Sequence, residues 1–256
     1  MNRTHSNTTP KKRIPVKQEE NLFIQLISRY IFYWPLFLAL IVIFVASAFI
    51  YIRYTTPLYE STATLIIKDE NKGVEASKSM DALNAISTKK IIENEIEVLQ
   101  SRSIMENVVR NLNLYAPIFH EGKIRKVSAY TLCPVIIRSE YPDSIIPVER
   151  IELNYDEKTK GIYLDGKFAG LLNEWIPTQY GRLKFVHNPK YKKNNNNEPF
   201  YFNLEDPGEV AKNMLNGLQV SSANKLSSII SLNYKDEVPK RSEDVLNELI
   251  KMYDYA

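Results

Sequence analysis

The residues best suited to nucleophilic or metal chemistry are three histidines and one cysteine, and the sequence scatters them. His5, His120 and His187 have no ligand-type spacing to one another or to Cys133, so the pattern names no metal site. Cys133 lies in Leu132-Cys133-Pro134-Val135-Ile136 and reads as a buried small hydrophobe rather than a reactive thiol. As the single cysteine it also excludes an intramolecular disulfide, so a folded region must be stable by packing alone. Glu93, Glu95 and Glu97 look like a carboxylate cluster, but at spacing two on a helix they point in different directions and read as a solvated face. The 8 glycines include no G-x-x-x-x-G-K-S/T loop, and no Gly-x-Ser-x-Gly elbow or Cys/His pairing occurs. The expectation is no catalytic, cofactor-binding or metal residue and no cofactor: within this chain, not an enzyme.

The elements that could position chemistry must therefore carry the function themselves. The 256 residues suffice for one or two modest domains, and 44% hydrophobic with 25% charged residues is the balance of a folded protein. A net charge of +3, with no basic stripe interleaved with aromatics, sets nucleic acid aside as a partner.

Trp34 to Ile52 reads WPLFLALIVIFVASAFIYI, without a charge and with Ser47 as its one polar residue. As a helix it is ~28 Å long, close to the hydrocarbon thickness of a bilayer. Trp34, Leu38, Ile41, Phe44, Phe49 and Ile52 are the expected anchor residues, with Tyr30, Phe32, Tyr33, Tyr51 and Tyr54 at headgroup level. Pro35 sits in the first turn, where a missing N–H costs nothing. Arg3, Lys11, Lys12, Arg13, Lys17 and Arg29 precede the span and Arg53 alone follows at its edge, which places the N-terminus in the cytoplasm and the remainder outside. Ala46-Ser47-Ala48 satisfies a small-x-small cleavage pattern. The long leading segment and the apolar residues that continue through Phe49, Ile50 and Ile52 assign a retained anchor instead.

Four segments follow: a disordered cytoplasmic tail over 1–20, a juxtamembrane helix over 21–33, the transmembrane helix over 34–53, and an extracytoplasmic domain over 54–256. The overall class is α+β, an N-terminal transmembrane helix followed by a mixed sheet-and-helix domain. Tyr59, Ser61, Ala63, Leu65 and Ile67 alternate with Glu60, Thr62, Thr64, Ile66 and Lys68, the signature of a strand. Asp69 to Met80 is a polar loop. Ile92, Ile96 and Leu99 line one helix, with Ser87 or Thr88 as cap. Ser103 with Glu106 reads as the capping box of a second, carrying Ile104, Val108, Val109 and Leu112. Strands dominate 130–187, at Val135 to Arg138, at Ile151, Leu153 and Tyr155, and at Leu183, Phe185 and His187, with turns at Lys160-Gly161 and Asp165-Gly166. Asn188 to Pro199 is a low-complexity loop. Asp206-Pro207-Gly208-Glu209 starts a helix that Gly217 stops, Val220 and Ile230-Leu232-Tyr234 mark two strands, and Pro239 opens a last helix repeating Val245, Leu246, Leu249, Ile250 and Tyr253. That helix has no stop signal by Ala256, and the expectation is of a chain cut mid-element.

Three segments resemble the chain-length determinant family of bacterial surface-polysaccharide assembly. Tyr59-Glu60-Ser61-Thr62-Ala63-Thr64-Leu65-Ile66-Ile67, after a span and Pro57, is similar to that family's opening strand. Glu95 to Met105, then Val108-Val109 and Leu112-Asn113-Leu114, resembles its following helix pair. Ile229 to Tyr234, then Pro239 and Asp244 to Ile250, is similar to the strand and proline-led helix before its long helical hairpin. The resemblance implies a polysaccharide co-polymerase: an oligomeric ring on the outer face of the inner membrane that contacts the polymerase and the growing glycan and sets chain length. It also implies truncation before the long hairpin, the second span and, in the exopolysaccharide branch, a cytoplasmic tyrosine autokinase domain. On this scaffold reading Val245, Leu249 and Tyr253 pack between subunits. The alternative is an extracytoplasmic sensor or regulatory domain of a membrane tyrosine kinase or signalling protein, which needs a pocket with converging polar groups.

Overall fold

The computed structural model describes residues 30–67, 90–121, 126–193, 199–223 and 229–255. The expected tail, most of the juxtamembrane helix, the polar loop after β1, the Ser87/Thr88 cap and the asparagine run lie outside the described residues. The chain divides into two compact units, Met1–Thr55 and Thr56–Ala256.

In the first unit a 3₁₀ turn, Ile31–Tyr33, leads into helix α1, Trp34–Tyr54. The juxtamembrane segment was expected to be α-helical to residue 33, and its described end is the tighter 3₁₀ form that frequents helix termini. Pro35 occupies the first turn, where the helix leaves N–H groups unsatisfied. At the far end the Thr55 hydroxyl donates to the Tyr51 carbonyl at 2.8 Å. Mean hydropathy reaches 2.7, and none of the helix is buried within the chain. By length and composition the helix could cross a membrane.

The second unit starts with β1, Tyr59–Ile66. β1 pairs antiparallel with β12, Ile229–Asp236, in a register that sets Ser61 against Tyr234, Ala63 against Leu232 and Leu65 against Ile230. On its other side β12 pairs with β11, Leu218–Ser222. Alternation turns Ser61, Ala63 and Leu65 inward, and Thr62, Thr64 and Ile66 stay exposed. Helical residues 90–99 form α2, followed by α3 (Arg102–Leu112), α4 (Pro207–Leu215) and α5 (Pro239–Asp254); α5 lies on the sheet, and α3 packs on α4 and α5. α5 packs on β1, β12 and α3 through Ser242, Val245, Leu246 and Leu249, all buried. Ser242 donates its single proton to the Pro239 carbonyl at 2.8 Å, so Ser61 must be the donor in the Ser61–Ser242 contact that joins β1 to α5.

The α3 cap differs from expectation. Ser101, not Ser103, is the N-cap and accepts from the Ile104 N–H at 3.3 Å. Glu106 is drawn away by Arg102 at 2.8 Å and Arg110 at 3.2 Å, an i,i+4 ladder that a capping-box pattern does not weigh. The α4 start is as expected: Asp206 accepts from the Glu209 N–H at 3.0 Å.

Between α3 and α4 the chain folds a β body. β2 (Ile118–Glu121) and β10 (Phe200–Leu204) open and close it side by side, and Glu205 N–H donates to the Tyr115 carbonyl at 2.8 Å where the body joins the helices. One sheet has the order β3 (Lys126–Ser128), β2, β10, β5 (Val148–Asp156), β6 (Gly161–Leu164), β7 (Lys167–Leu171); a second has β4 (Val135–Ser139), β9 (Gly181–His187), β8 (Trp175–Thr178). The sheets meet at Phe185 and Phe202, edge to face with centroids 6.3 Å apart. The β6–β7 hairpin turns on Asp165 and Gly166 at φ 48° and 75°, the paired positive φ of a two-residue turn. Strands β2, β3, β8 and β10 were not expected, being short and weakly alternating.

Leu249 has no exposure, so truncation leaves a cavity. Leu249→Ala is expected to lower unfolding free energy by about 2–5 kcal/mol in urea titration, whereas Asn247→Ala on the exposed face of α5 should change it by less than about 0.5 kcal/mol.

Candidate functional site

The expected anchor residues Trp34, Leu38, Ile41, Phe44, Phe49 and Ile52 all lie exposed on α1. The expected subunit-packing residues fall elsewhere. Val245 and Leu249 are fully buried against the chain's own β1, β12 and α3, and Tyr253 is half-buried with its hydroxyl donating to Glu95 at 2.7 Å. A three-to-four-residue period reveals an apolar face but not whose surface covers it; here the same chain does. Glu95 is correspondingly not part of a free solvated face.

His120 is buried at the sheet interior, His187 is exposed at the end of β9, and His5 lies outside the described residues. Among the described residues no three His, Cys, Asp or Glu side chains gather in ligating arrangement. Cys133 is 1% exposed, and burial pushes its thiol up to about 12 against a smaller opposing hydrogen bond from the Val135 backbone. The thiolate is the reactive species, so this sulfur is inert in the fold.

Polar chemistry concentrates where α5 meets the β body. Tyr130 donates to Asp244 at 2.8 Å, Lys190 reaches Asp244 at 2.7 Å and lies 4.7 Å over the Tyr130 ring, and Lys240 approaches the other Asp244 oxygen at 3.2 Å. One turn earlier Arg241 pairs with Asp236 at 2.8 Å and donates to Ser128 at 3.3 Å. Asn188 steadies the loop that carries Lys190, its amide donating to the carbonyls of Tyr130 and Cys133 at 2.9 and 2.8 Å. Burial alone would raise the Asp244 carboxyl. The hydrogen bonds from Lys190 and Tyr130 outweigh it and hold the group below the ordinary carboxylate range. Burial and the Asp244 carboxylate push the Tyr130 phenol up, so it remains a donor. The cluster is a positional clamp: it fixes α5 against the loops of the β body. Sequence reasoning missed it because its members are far apart in the chain.

The chain thus combines an N-terminal apolar helix long enough to cross a membrane with a mixed helix-and-sheet body. The family described as chain length determinant protein matches residues 21–112, so the segment holding α1, β1, α2 and α3 is similar to that family. A relative, the tyrosine-protein kinase ptk of Acinetobacter johnsonii, is 26% identical over 262 residues, covering 91% of this chain and 34% of that protein. The chain thus spans about a third of that relative's length.

Two outcomes test the geometry. Asp244 has a lowered folded-state value, so its contribution is complete above about pH 4 and is lost as the pH falls through that lowered value. Asp244→Asn is expected to be about 1–3 kcal/mol less stable than the parent at pH 7, with the gap closing in urea titrations below about pH 4. Cys133 is expected to resist iodoacetamide in the folded protein and to react stoichiometrically in urea, as read by mass spectrometry.

Proposed function

We propose that the chain is the membrane-anchored part of a scaffold that regulates polymer length and export in the biosynthesis of a bacterial surface polysaccharide, whether capsule, exopolysaccharide or O-antigen. The observation that carries this reading is the family match over 21–112, which takes in the apolar helix together with the strand and helices that begin the body. The family match supports a role in polysaccharide chain-length determination. The scaffold reading adds that α1 sits in the inner membrane with the basic N-terminus cytoplasmic and the body over 54–256 periplasmic, by the asymmetry of Arg and Lys about the span. It also adds a homo-oligomeric ring that meets the polymerase and the growing glycan. Closed rings use heterologous contacts between different patches of identical subunits, so with Val245 and Leu249 buried, the contact surface is drawn from exposed positions.

A second reading is favoured by the relative's description as a tyrosine kinase: the body over 54–256 is the extracytoplasmic regulatory part of such a kinase, its output lying beyond the matched region. The two readings part in cells. On the scaffold reading, deleting the gene broadens or shifts the modal length of the surface glycan on a gel even when tyrosine phosphorylation is abolished separately. On the regulatory reading, loss of phosphorylation alone reproduces the deletion.

Topology has its own test. Lys167 is exposed at the β6–β7 hairpin, and native Cys133 is buried enough to stay silent. A Lys167→Cys variant is expected to react with a membrane-impermeant maleimide in intact spheroplasts. Labelling only after lysis would reverse the orientation.

A further inference from the structure

The β body carries a cleft of about 580 Å³, within the range of about 300–1,000 Å³ typical of ligand sites. It opens where β10 begins. Phe200 pairs with Leu153, and β6 pairs with Asn154 to Asp156 on the other side of β5. The cleft is lined by side chains from both sheet faces. Tyr155 comes from the row that also carries Ile151 and Leu153, and Asn154 with its cross-strand partner Tyr163 comes from the opposite row.

The walls combine two chemistries. Tyr155, Tyr163, Tyr191 and Phe200 are half-buried, leaving aromatic surface open to the cleft. Exposed Asn154 and Glu157, with Glu152, place amide and carboxylate groups beside those rings. An aromatic face suits the apolar C–H face of a sugar ring, and amides and carboxylates engage the hydroxyls around its rim. Burial, then Glu157, pushes the Tyr155 phenol up, and burial with Glu157 and Cys133 does so for Tyr191, so both remain donors at neutral pH. Glu152 and Glu157 outnumber Lys193 on the lining, an excess of negative charge that disfavours a polyanion.

We infer that this cleft binds an uncharged oligosaccharide stretch of the growing surface glycan. The source of the glycan rests on the chain-length reading; the chemistry of the ligand rests on the cleft, which lies in the β body outside the family-matched segment.

The test uses the complete protein in detergent and the surface glycan of cells carrying the gene, cleaved to short fragments by mild acid and divided by anion exchange into neutral and acidic pools. Saturation-transfer NMR and calorimetry are expected to show binding of the neutral pool. Asn154→Ala and Tyr191→Ala are each expected to weaken binding about tenfold or more, with the melting temperature reported alongside. Glu157→Gln, an exposed change that spares packing, is expected to weaken binding of the neutral pool without admitting the acidic one. Failure of the parent to bind the neutral pool, equal binding of the acidic pool, or unaltered binding by all three variants would overturn the inference. The chain-length reading fails separately, when deleting the gene leaves the glycan's modal length unchanged whatever the fragments do in vitro.

Discussion

Everything outside the apolar helix depends on the antiparallel pairing of β1 with β12. The pairing joins the strand that follows α1 to the strand that precedes α5, so the beginning and the end of the second unit are neighbours in one sheet. Its register puts Ala63 beside Leu232 and Leu65 beside Ile230 on the face where α5 packs. A slip of one residue would turn Thr62 and Thr64 inward and strand the apolar set in water. Ser61 and Ser242 then fix α5 over the same pair, which is why the last helix has no freedom to present Val245 and Leu249 to a neighbour.

With that layer closed, the segment between α3 and α4 can be long without disturbing it. The β body leaves and re-enters at adjacent points, through β2 beside β10 and the Tyr115–Glu205 backbone bond, so its insertion strains neither helix. Phe185 and Phe202 give the body its own apolar interior. The Tyr130–Lys190–Asp244 cluster ties that interior back to α5. A half-buried charge cluster of this kind adds little net stability compared with apolar packing, but it admits few geometries. Its effect is to set the angle and position of α5 against the β body.

The division of labour follows from these constraints. The family-matched segment over 21–112 supplies the apolar helix and the first part of the strand-and-helix layer. The β body adds a surface with a different chemistry, aromatic and hydrogen-bonding, at the notch beside β5.

The sequence by itself determined the elements whose signal is local. Trp34 to Ile52 could only be an apolar helix, because an uncharged run of that length satisfies its backbone internally. The alternation in β1 and β12, the Asp206-Pro207 start of α4, the Pro239 start of α5 and the Asp165-Gly166 turn were legible because each rests on neighbours within a few residues. The α3 cap was misplaced by two residues because an ion-pair ladder on Glu106 competed with the capping pattern. What only the tertiary structure decided was coverage and convergence. The apolar stripe of α5 looks the same whether another subunit or β1 lies against it, and packing alone assigned it to β1. Tyr130 and Asp244 are 114 residues apart, and Tyr155, Tyr163 and Tyr191 come from three separate segments. Groups brought together by folding over such distances leave no period in the sequence, so neither the clamp nor the cleft could be read from it.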